Sequence, residues 1–219
     1  MAENSYSKVD AVLNTTRDGW RPQRLSPTGE TIVRDFFTDL LINGYGYQVR
    51  AGTITTPLVG DVVLTDASAE MSVDAANGTT NIITELQIAV RLHTGTLQEY
   101  AAKSVATSST AGTAFVPLPL IVGGTAGTSI ARVAAAGGVT VTAELATTTR
   151  RHWEYAHPLA AAAGSDPGIL AASVLRKPVI LKGGSAGTCF YVQIAATGTG
   201  PSYYAHFDYF EMATTLLTG

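Results

Sequence analysis

From Tyr45 onward the sequence is a succession of short segments rich in β-branched and aromatic residues, separated by Gly, Pro, Asn and Asp. Such a pattern is typical of strands joined by turns. About eight to eleven strands follow one another without interleaved helices, which predicts two packed antiparallel sheets. We therefore expect an all-β sandwich over residues 45–219, and the jelly roll is favoured over other sandwiches or an open barrel.

Two of these segments show the period-two alternation of a half-buried strand. The segment "ELQIAVRLH" has the propensity of a short helix, but its alternating apolar residues favour a strand: Leu86, Ile88, Val90 and Leu92. The segment "SYYAHFDYFEM" has one predicted apolar face, formed by Tyr203, Ala205, Phe207 and Tyr209. His206 and Asp208 lie on its other face, where they could pair electrostatically.

Two further units precede the sandwich. Residues 1–25 are polar and show no convincing period, so they predict an extended N-terminal arm. Residues 26–44 predict one amphipathic helix, which Ser26 or Thr28 would cap and Asn43-Gly44 would end.

The predicted helix carries one apolar stripe. Its members are Ile32, Val33, Phe36, Phe37, Leu40 and Leu41. A stripe with two phenylalanines needs an apolar surface to cover it. We expect Phe36 and Phe37 to contact the sandwich or a neighbouring subunit.

The surface of this protein must be largely small and neutral. Only 14% of the residues are charged, against roughly 25% in an ordinary soluble domain. Surfaces of that kind are often covered by further copies of the chain or by a partner. The net charge of −3 argues against a general nucleic-acid or anionic-membrane binder, which would present a basic face.

One local basic cluster lies in the arm, in "TTRDGWRPQR". The ordinary interpretation is a solvated segment in which Asp18 offsets part of the charge. The residues that flank this aspartate are nevertheless candidate contact residues: Arg17, Trp20, Arg21 and Arg24.

The single cysteine, Cys189, excludes an intrachain disulfide, a cysteine zinc cluster and a CxxC redox pair. We expect it to pack as a small apolar residue within a strand. The first residues lack the basic and apolar regions of a secretory signal, and no run approaches the roughly eighteen apolar residues of a membrane span. We therefore expect synthesis in a cytoplasm and no membrane association.

The stretch "LIVGGTAGTSI" at 120–130 nearly recurs as "ILKGGSAGTCF" at 180–190. Neither copy fits a phosphate loop, because the lysine that would reach the phosphates is absent. The second copy contains G-x-S-x-G around Ser185, but a nucleophile elbow needs a helix after the serine and "TCFYVQI" is a poor helix former. We interpret both copies as hairpin loops whose glycines supply positive φ. No catalytic residue and no cofactor are predicted.

Metal ligands are also sparse. "RRHWEYAH" contains His152, Glu154 and His157, but alternation places His157 on the opposite face from the other two, so no metal site is predicted. Carboxylates for acid–base chemistry occur singly, at Glu70, Glu85, Glu144, Glu154 and Glu211. Several tyrosines could stack on sugars or form a subunit contact, among them Tyr45, Tyr47, Tyr203 and Tyr204.

The Gly/Ala/Thr-rich, charge-poor chain, with a polar arm and a sandwich that closes on "SYYAHFDYFEM", resembles small structural proteins of tailed bacteriophages and related viruses. These are the jelly-roll capsid decoration (cement) proteins and the trimeric head or tail appendages. The resemblance covers overall style from about residue 45 onward. It implies a homotrimer bound to a capsid lattice or to other virion proteins, with no catalytic residues to carry over.

We therefore expect a non-enzymatic virion protein, an auxiliary head protein made in the host cytoplasm that binds an assembled particle as an oligomer and stabilises it. One alternative is a carbohydrate- or receptor-binding jelly-roll module of a phage appendage, with a glycan as partner. A second alternative is a single jelly-roll capsid shell protein. The candidate contact residues are Arg17, Trp20, Arg21, Arg24, Phe36, Phe37, Tyr203 and Tyr204.

Overall fold

The structure, a computed structural model, contains one α-helix and seventeen strands in the part of the chain that it describes. That part comprises residues 6–8, 20–22, 35–65, 68–92, 97–134, 138–141, 149–158 and 177–216. The helix α1 is Phe36–Ile42, and a 3₁₀ turn spans Thr214–Leu216. In chain order the strands are β1 (Tyr6–Lys8), β2 (Trp20–Pro22), β3 (Gly46–Ala51), β4 (Leu58–Val59), β5 (Ser68–Ala69), β6 (Met71–Asp74), β7 (Thr79–Leu92), β8 (Leu97–Val105), β9 (Thr110–Ala111), β10 (Thr113–Phe115), β11 (Leu118–Pro119), β12 (Ile130–Val133), β13 (Val139–Thr140), β14 (Arg150–Pro158), β15 (Val179–Lys182), β16 (Cys189–Ala196) and β17 (Ser202–Ala213).

Two large antiparallel sheets form the sandwich. The front sheet has the order β11-β3-β17-β7-β15, with β4 paired to the start of β17. The back sheet has the order β10-β12-β6-β16-β8-β14. Three short strands form a small third sheet, β5-β13-β9, and β1 pairs with β2 in the arm region.

The strand order is that of a jelly roll. The eight principal strands in chain order are β3, β6, β7, β8, β14, β15, β16 and β17. Numbered one to eight, they lie in the order 1-8-3-6 in the front sheet and 2-7-4-5 in the back sheet, and all neighbours are antiparallel. Two interlocked Greek keys give this order. The predicted all-β sandwich and its jelly-roll form are therefore confirmed.

The core lies between the inward faces of the two sheets. On β17 the predicted apolar face is buried, and it packs against the inward residues of β16. Phe207 of β17 meets Phe190 of β16 edge to face, with ring centroids 5.2 Å apart. Each such ring contributes roughly 1.5–3 kcal/mol by burial, and the pair adds about 1 kcal/mol.

The segment that was ambiguous between helix and strand is the middle of β7. Leu86, Ile88 and Val90 are buried in the core, as the alternation predicts. Cys189 is fully buried at the start of β16, which confirms its packing within a strand. Burial raises the pKa of its thiol far above the ordinary value, so it is unreactive.

The helix begins later than predicted. Asp35 has an extended backbone (φ −69°, ψ 157°) and caps the helix, because its carboxylate accepts the backbone N–H of Thr38 at 3.0 Å. The predicted helix 26–44, capped at Ser26 or Thr28, cannot run through an extended Asp35, and residues 26–34 lie outside the described residues. Aspartate is a favoured N-cap residue. The apolar stripe continues on the N-terminal side of Asp35, so it does not show where the helix begins.

The end of the helix is as predicted. Gly44 follows Asn43 with φ 81°, the left-handed backbone that glycine adopts most readily. Its N–H donates to Leu41 O and the N–H of Tyr45 donates to Leu40 O, at 2.9 and 3.0 Å. These two hydrogen bonds define a Schellman motif, which turns the chain directly into β3.

Both glycine-rich segments cross from one sheet to the other. The first joins β11 of the front sheet to β12 of the back sheet, and the second joins β15 to β16 in the same sense. Neither segment starts a helix, which confirms two strand–loop–strand units. The prediction of hairpins is wrong, because the strands on either side of each loop belong to different layers, about 10 Å apart.

The two copies are not superimposable in detail. Gly123 takes positive φ in the first loop, whereas Gly187, at a different place in the motif, does so in the second. After the loops, Ala131 of β12 and Phe190 of β16 both pair with Val73 of β6, although the repeat would align Phe190 with Ile130. The pairing of β12 with β6 is therefore shifted by one residue relative to the repeat, and this shift explains why Arg132 does not face the core.

The backbone of the chain at Ala76 passes so close to Gly183 that no side chain fits there, whereas the space around the neighbouring Gly184 is open. A Cβ at Gly183 would lie 1.8 Å from Ala76 O, whereas a Cβ at Gly184 would meet nothing within 4 Å. We predict that Gly183→Ala lowers the free energy of unfolding by about 2 kcal/mol, and that the control Gly184→Ala changes it by less than about 1 kcal/mol. Urea unfolding measures both values. Equal effects of the two substitutions would contradict the crossing geometry.

Candidate interaction surface

Helix α1 is attached to the sandwich along a narrow line. Leu40 is buried against the outward side of the front sheet, in a small cluster with Ile82, Phe210 and Met212. Phe37 stacks on Phe210 with ring centroids 5.4 Å apart. Because the attachment uses so little of the helix, much of its apolar surface stays exposed.

The exposed side chains are large. Phe36 and Ile42 are 50% and 52% exposed, and Phe37 and Leu41 are also exposed. The contact of Phe37 with the sandwich that the sequence predicted is confirmed, whereas among the rings that the structure describes Phe36 contacts only Phe37. The described part of the predicted stripe is thus divided between a buried edge and an exposed edge, and its first two members lie outside the described residues.

The first glycine loop continues this apolar surface. A Cβ at Gly46 would lie 2.9 Å from Leu41 Cδ1 and 3.0 Å from Leu120 Cδ1, so the end of the helix and the start of the loop meet above Gly46. Ile121 follows Leu120 and is exposed, and Val122 is completely exposed. We call the combined surface the helix patch; its members are Phe36, Phe37, Leu41, Ile42, Ile121 and Val122.

The other predicted contact residues differ in burial and in position. Tyr203 is fully buried, which is a correction: it faces the core because the alternation of β17 places it there with Phe207. Tyr204, on the opposite face, is half-buried. Trp20 and Arg21 lie in β2, which pairs with β1, and Arg17 and Arg24 lie outside the described residues.

The tyrosines do not form the exposed row that sugar stacking would need. Tyr47 is buried in the core with Tyr203, and Tyr45 is half-buried beside the helix cluster. The interpretation of these side chains as an exposed aromatic platform is therefore wrong. The rings of Tyr47 and Tyr203 fill the inside of the front sheet instead.

Ser185 is exposed in a turn between two strands. Lys182, just before it, pairs with Thr80 of β7, whereas His206 pairs with Gln87 farther along the same strand. At about 3.3 Å per residue this places His206 roughly 20 Å from the loop. Ser185 and His206 therefore do not form a nucleophile–base pair.

His152 and Glu154 are engaged in separate contacts. A bulge lies between Arg151 and Trp153, and His152 shares a 2.8 Å hydrogen bond with Ser104 Oγ. Glu154 lies 3.8 Å from the buried Lys103 ammonium and 3.5 Å from Arg151. Burial lowers the pKa of His152. Among the described residues, no group of three or more His, Cys, Asp and Glu side chains is placed to hold a metal ion.

Glu211 has a structural role at the first glycine loop. Its carboxylate accepts hydrogen bonds from the backbone N–H and hydroxyl of Thr128, at 2.7 and 2.6 Å, and from the N–H of Ser129 at 3.0 Å. A Cβ at Gly127 would lie 3.1 Å from the same carboxylate. The carboxylate thus ties the loop to β17.

Glu70, one of the carboxylates that the sequence offered singly, is a buried carboxyl. It is 3% exposed, and its two oxygens accept the N–H of Asp61 at 3.1 Å and the hydroxyl of Tyr203 at 3.0 Å. Burial, together with the neighbouring Asp61 carboxylate, raises the pKa of Glu70 to about 7. Only the folded chain brings Asp61, Glu70 and Tyr203 together, so no local pattern marks this group.

Comparison of the chain with protein-family models, curated proteins and solved structures finds no match. No helix in the described part of the chain is long and apolar enough to cross a membrane. The inferences on function therefore rest on the geometry above.

We predict that Glu70 makes folding stability depend on pH. Its folded pKa of about 7 exceeds the ordinary 4.5, so the native state binds this proton more tightly and its stability falls as pH rises from about 4.5 to 7. Glu70→Gln should remove this loss, which is at most about 3 kcal/mol. The measurement is urea unfolding of the wild type and of Glu70→Gln at several pH values, with Glu85→Gln as a control at an exposed site. A Glu70→Gln profile parallel to that of the wild type would contradict the prediction.

Proposed function

We propose that this protein is a non-enzymatic structural component of a virus particle, which binds as an oligomer to an assembled capsid and stabilises it. The observation that carries the proposal is the helix patch. Four of its six large apolar side chains lie on a helix that one leucine and one stacked phenylalanine attach to the sandwich, and the other two lie in the first glycine loop. Contiguous exposed apolar surface of this kind is typical of a site for protein association.

The composition of the patch supports an assembly role. Phenylalanine is enriched in the buried centres of protein interfaces, where charged residues are depleted. The chain as a whole has few charges to keep such a surface in water, with 14% charged residues. Covering the patch with further copies or with a capsid protein removes it from water.

The jelly roll supplies a rigid block for this role. Its long strands β7 and β17 pair along twelve positions at the centre of the front sheet, and the helix patch is carried on the outside of that sheet. A protein that binds only the assembled lattice shifts the assembly equilibrium toward the lattice by mass action. Stabilisation then requires no catalytic residue.

We predict that Phe36→Ser/Ile42→Ser weakens self-association by at least about tenfold, the equivalent of about 1.4 kcal/mol. Both side chains are half-exposed, so the fold should persist. Sedimentation velocity over a concentration series measures the change. The matched control is Val62→Ser/Val63→Ser, which removes two side chains of similar exposure elsewhere. Equal association of both variants would overturn the role of the patch.

Removal of residues 1–25 is predicted to weaken attachment to particles while the sandwich stays folded. The arm contains the basic cluster and the β1–β2 pair, whereas the core cluster draws on residues 47–209. Density-gradient sedimentation with particles from the source organism measures attachment, and circular dichroism checks the fold. Undiminished attachment of the truncated protein would exclude this role for the arm.

If the purified protein alone closes into particles by electron microscopy, it is a shell protein and not a decoration protein.

A further inference from the structure

A short loop, residues 60–65, runs beside the last residues of β16, and we call it the latch loop. Its one charged residue, Asp61, forms an isolated parallel bridge with β16. The N–H of Asp61 donates to Ile194 O at 3.0 Å, and its carbonyl accepts the N–H of Ala196 at 2.9 Å. Because β6 pairs with β16 only as far as Val192, the latch loop continues that edge of the sheet.

The latch loop lies against the sandwich through backbone atoms. A Cβ at Gly60 would lie 2.5 Å from Ile194 O, and a Cβ at Gly200 would lie 1.6 Å from Gly60 O, so no side chain fits between these segments. Val62 and Val63 are more than half exposed, and no side chain of the loop belongs to a core cluster. The loop can therefore leave the sheet without withdrawing an apolar side chain from the core.

The latch loop also contacts the buried carboxyl of Glu70. The N–H of Asp61 donates to Glu70 Oε1 at 3.1 Å, and the hydroxyl of Tyr203 donates to Oε2 at 3.0 Å. The backbone of Glu70 is fixed in the back sheet, because its N–H donates to Val192 O at 2.8 Å and its carbonyl accepts the N–H of Ala134 at 2.7 Å. Tyr203 is fully buried in β17. Asp61 is therefore the member of this group that can move.

Protonation of Glu70 decides whether its carboxyl tolerates that of Asp61. Among the described residues, the titratable groups that act on Glu70 are Asp61 from the loop and Tyr203 from β17. Burial raises the pKa of Tyr203 well above its ordinary value, so this hydroxyl stays neutral. No described lysine, arginine or histidine forms an ion pair with either carboxyl. An ionised Glu70 is thus a buried charge beside a second negative charge, which burial and Asp61 both oppose.

We propose that residues 60–65 are a pH-dependent latch, closed on β16 while Glu70 is protonated and released when Glu70 ionises. Movement of Asp61 away from the sheet separates the two negative charges and admits water to the Glu70 carboxylate. The proposal goes beyond the assembly function, because the latch loop shares no residue with the helix patch. It also names the element through which the pH dependence predicted for Glu70 acts.

The pH window follows from the closed and open states of the latch. In the closed state the pKa of Glu70 is about 7, and in the open state the water-exposed carboxyl has the ordinary pKa of 4.5. The closed state binds the proton more tightly, so closure is most favourable below about pH 4.5. Opening then increases as pH rises to about 7 and levels off above it. The difference between the two pKa values limits the increase to roughly 300-fold.

Amide hydrogen exchange of the full-length protein, followed by NMR, tests the latch. The reporters are the N–H groups of Asp61 and Ala196, which form the bridge, and the reference is the amide of Phe207 in the middle of β17. We expect the protection factors of both reporters to fall at least about tenfold between about pH 5 and pH 7. Their exchange should also be independent of urea up to about 1 M, the signature of local opening, whereas that of Phe207 accelerates with urea as the whole sandwich unfolds.

Either of two results in the wild type would overturn the proposal. Protection of Asp61 and Ala196 that does not change with pH would show that the loop does not respond to Glu70. A urea dependence of both reporters equal to that of Phe207 would show that the bridge opens only when the whole sandwich unfolds.

Glu70→Gln is the decisive variant, because its side chain has a similar shape and is neutral at every pH. We expect it to hold the protection of both reporters constant within about twofold between pH 5 and pH 7, whereas the matched control Glu85→Gln, at an exposed site of β7, should keep the wild-type change. Asp61→Asn, on the loop itself, removes the neighbouring charge and should reduce the change. A tenfold change that persists in Glu70→Gln, or an undiminished change in Asp61→Asn, would contradict the latch. The helix-patch variant should show the wild-type change, which separates this proposal from the assembly function.

Discussion

Phe207 and Phe190 meet edge to face at the centre of the sandwich, and the rest of the structure depends on that contact between β17 and β16. These two strands are consecutive in the chain but occupy the middle of opposite sheets. Their inward faces can meet only if the chain crosses between layers before and after β16. The second glycine loop makes the first of these crossings, and Gly183 allows it because a side chain there would collide with Ala76 O.

The same crossings also position the end of β6 and part of the helix patch. The two loops bring β12 and β16 to either side of β6, so that Asp74 at the end of β6 lies between them. The first loop also brings Leu120 to the end of the helix near Leu41 and continues into the exposed Ile121 and Val122. The glycine repeat thus serves as connection, while side chains on neighbouring strands provide the polar and apolar contacts.

Local patterns in the sequence predicted the elements well where one face of an element is buried. The alternation of β7 and β17 identified their inward residues, and Asn43-Gly44 marked the end of the helix. The start of the helix was predicted too early, because an apolar stripe does not show where the backbone becomes extended, and Asp35 does. An aromatic side chain suits an interface as well as a core, so the sequence alone does not distinguish the buried Tyr203 from a contact residue.

Period-two alternation and turn residues in the sequence by themselves determined that this chain is an all-β sandwich preceded by one helix that ends at Asn43-Gly44. Alternation and turn preferences depend on residues that are close together in the chain, so they can be read directly from the sequence. Only the tertiary structure decided that the glycine loops cross between sheets and that Asp61, Glu70 and Tyr203 form one buried group. It also decided that Asp74 and Arg132 form an ion pair, with Arg132 Nε 3.6 Å from Asp74 Oδ2. These groups come from strands far apart in the chain, and it is the order of strands in the jelly roll that places them side by side.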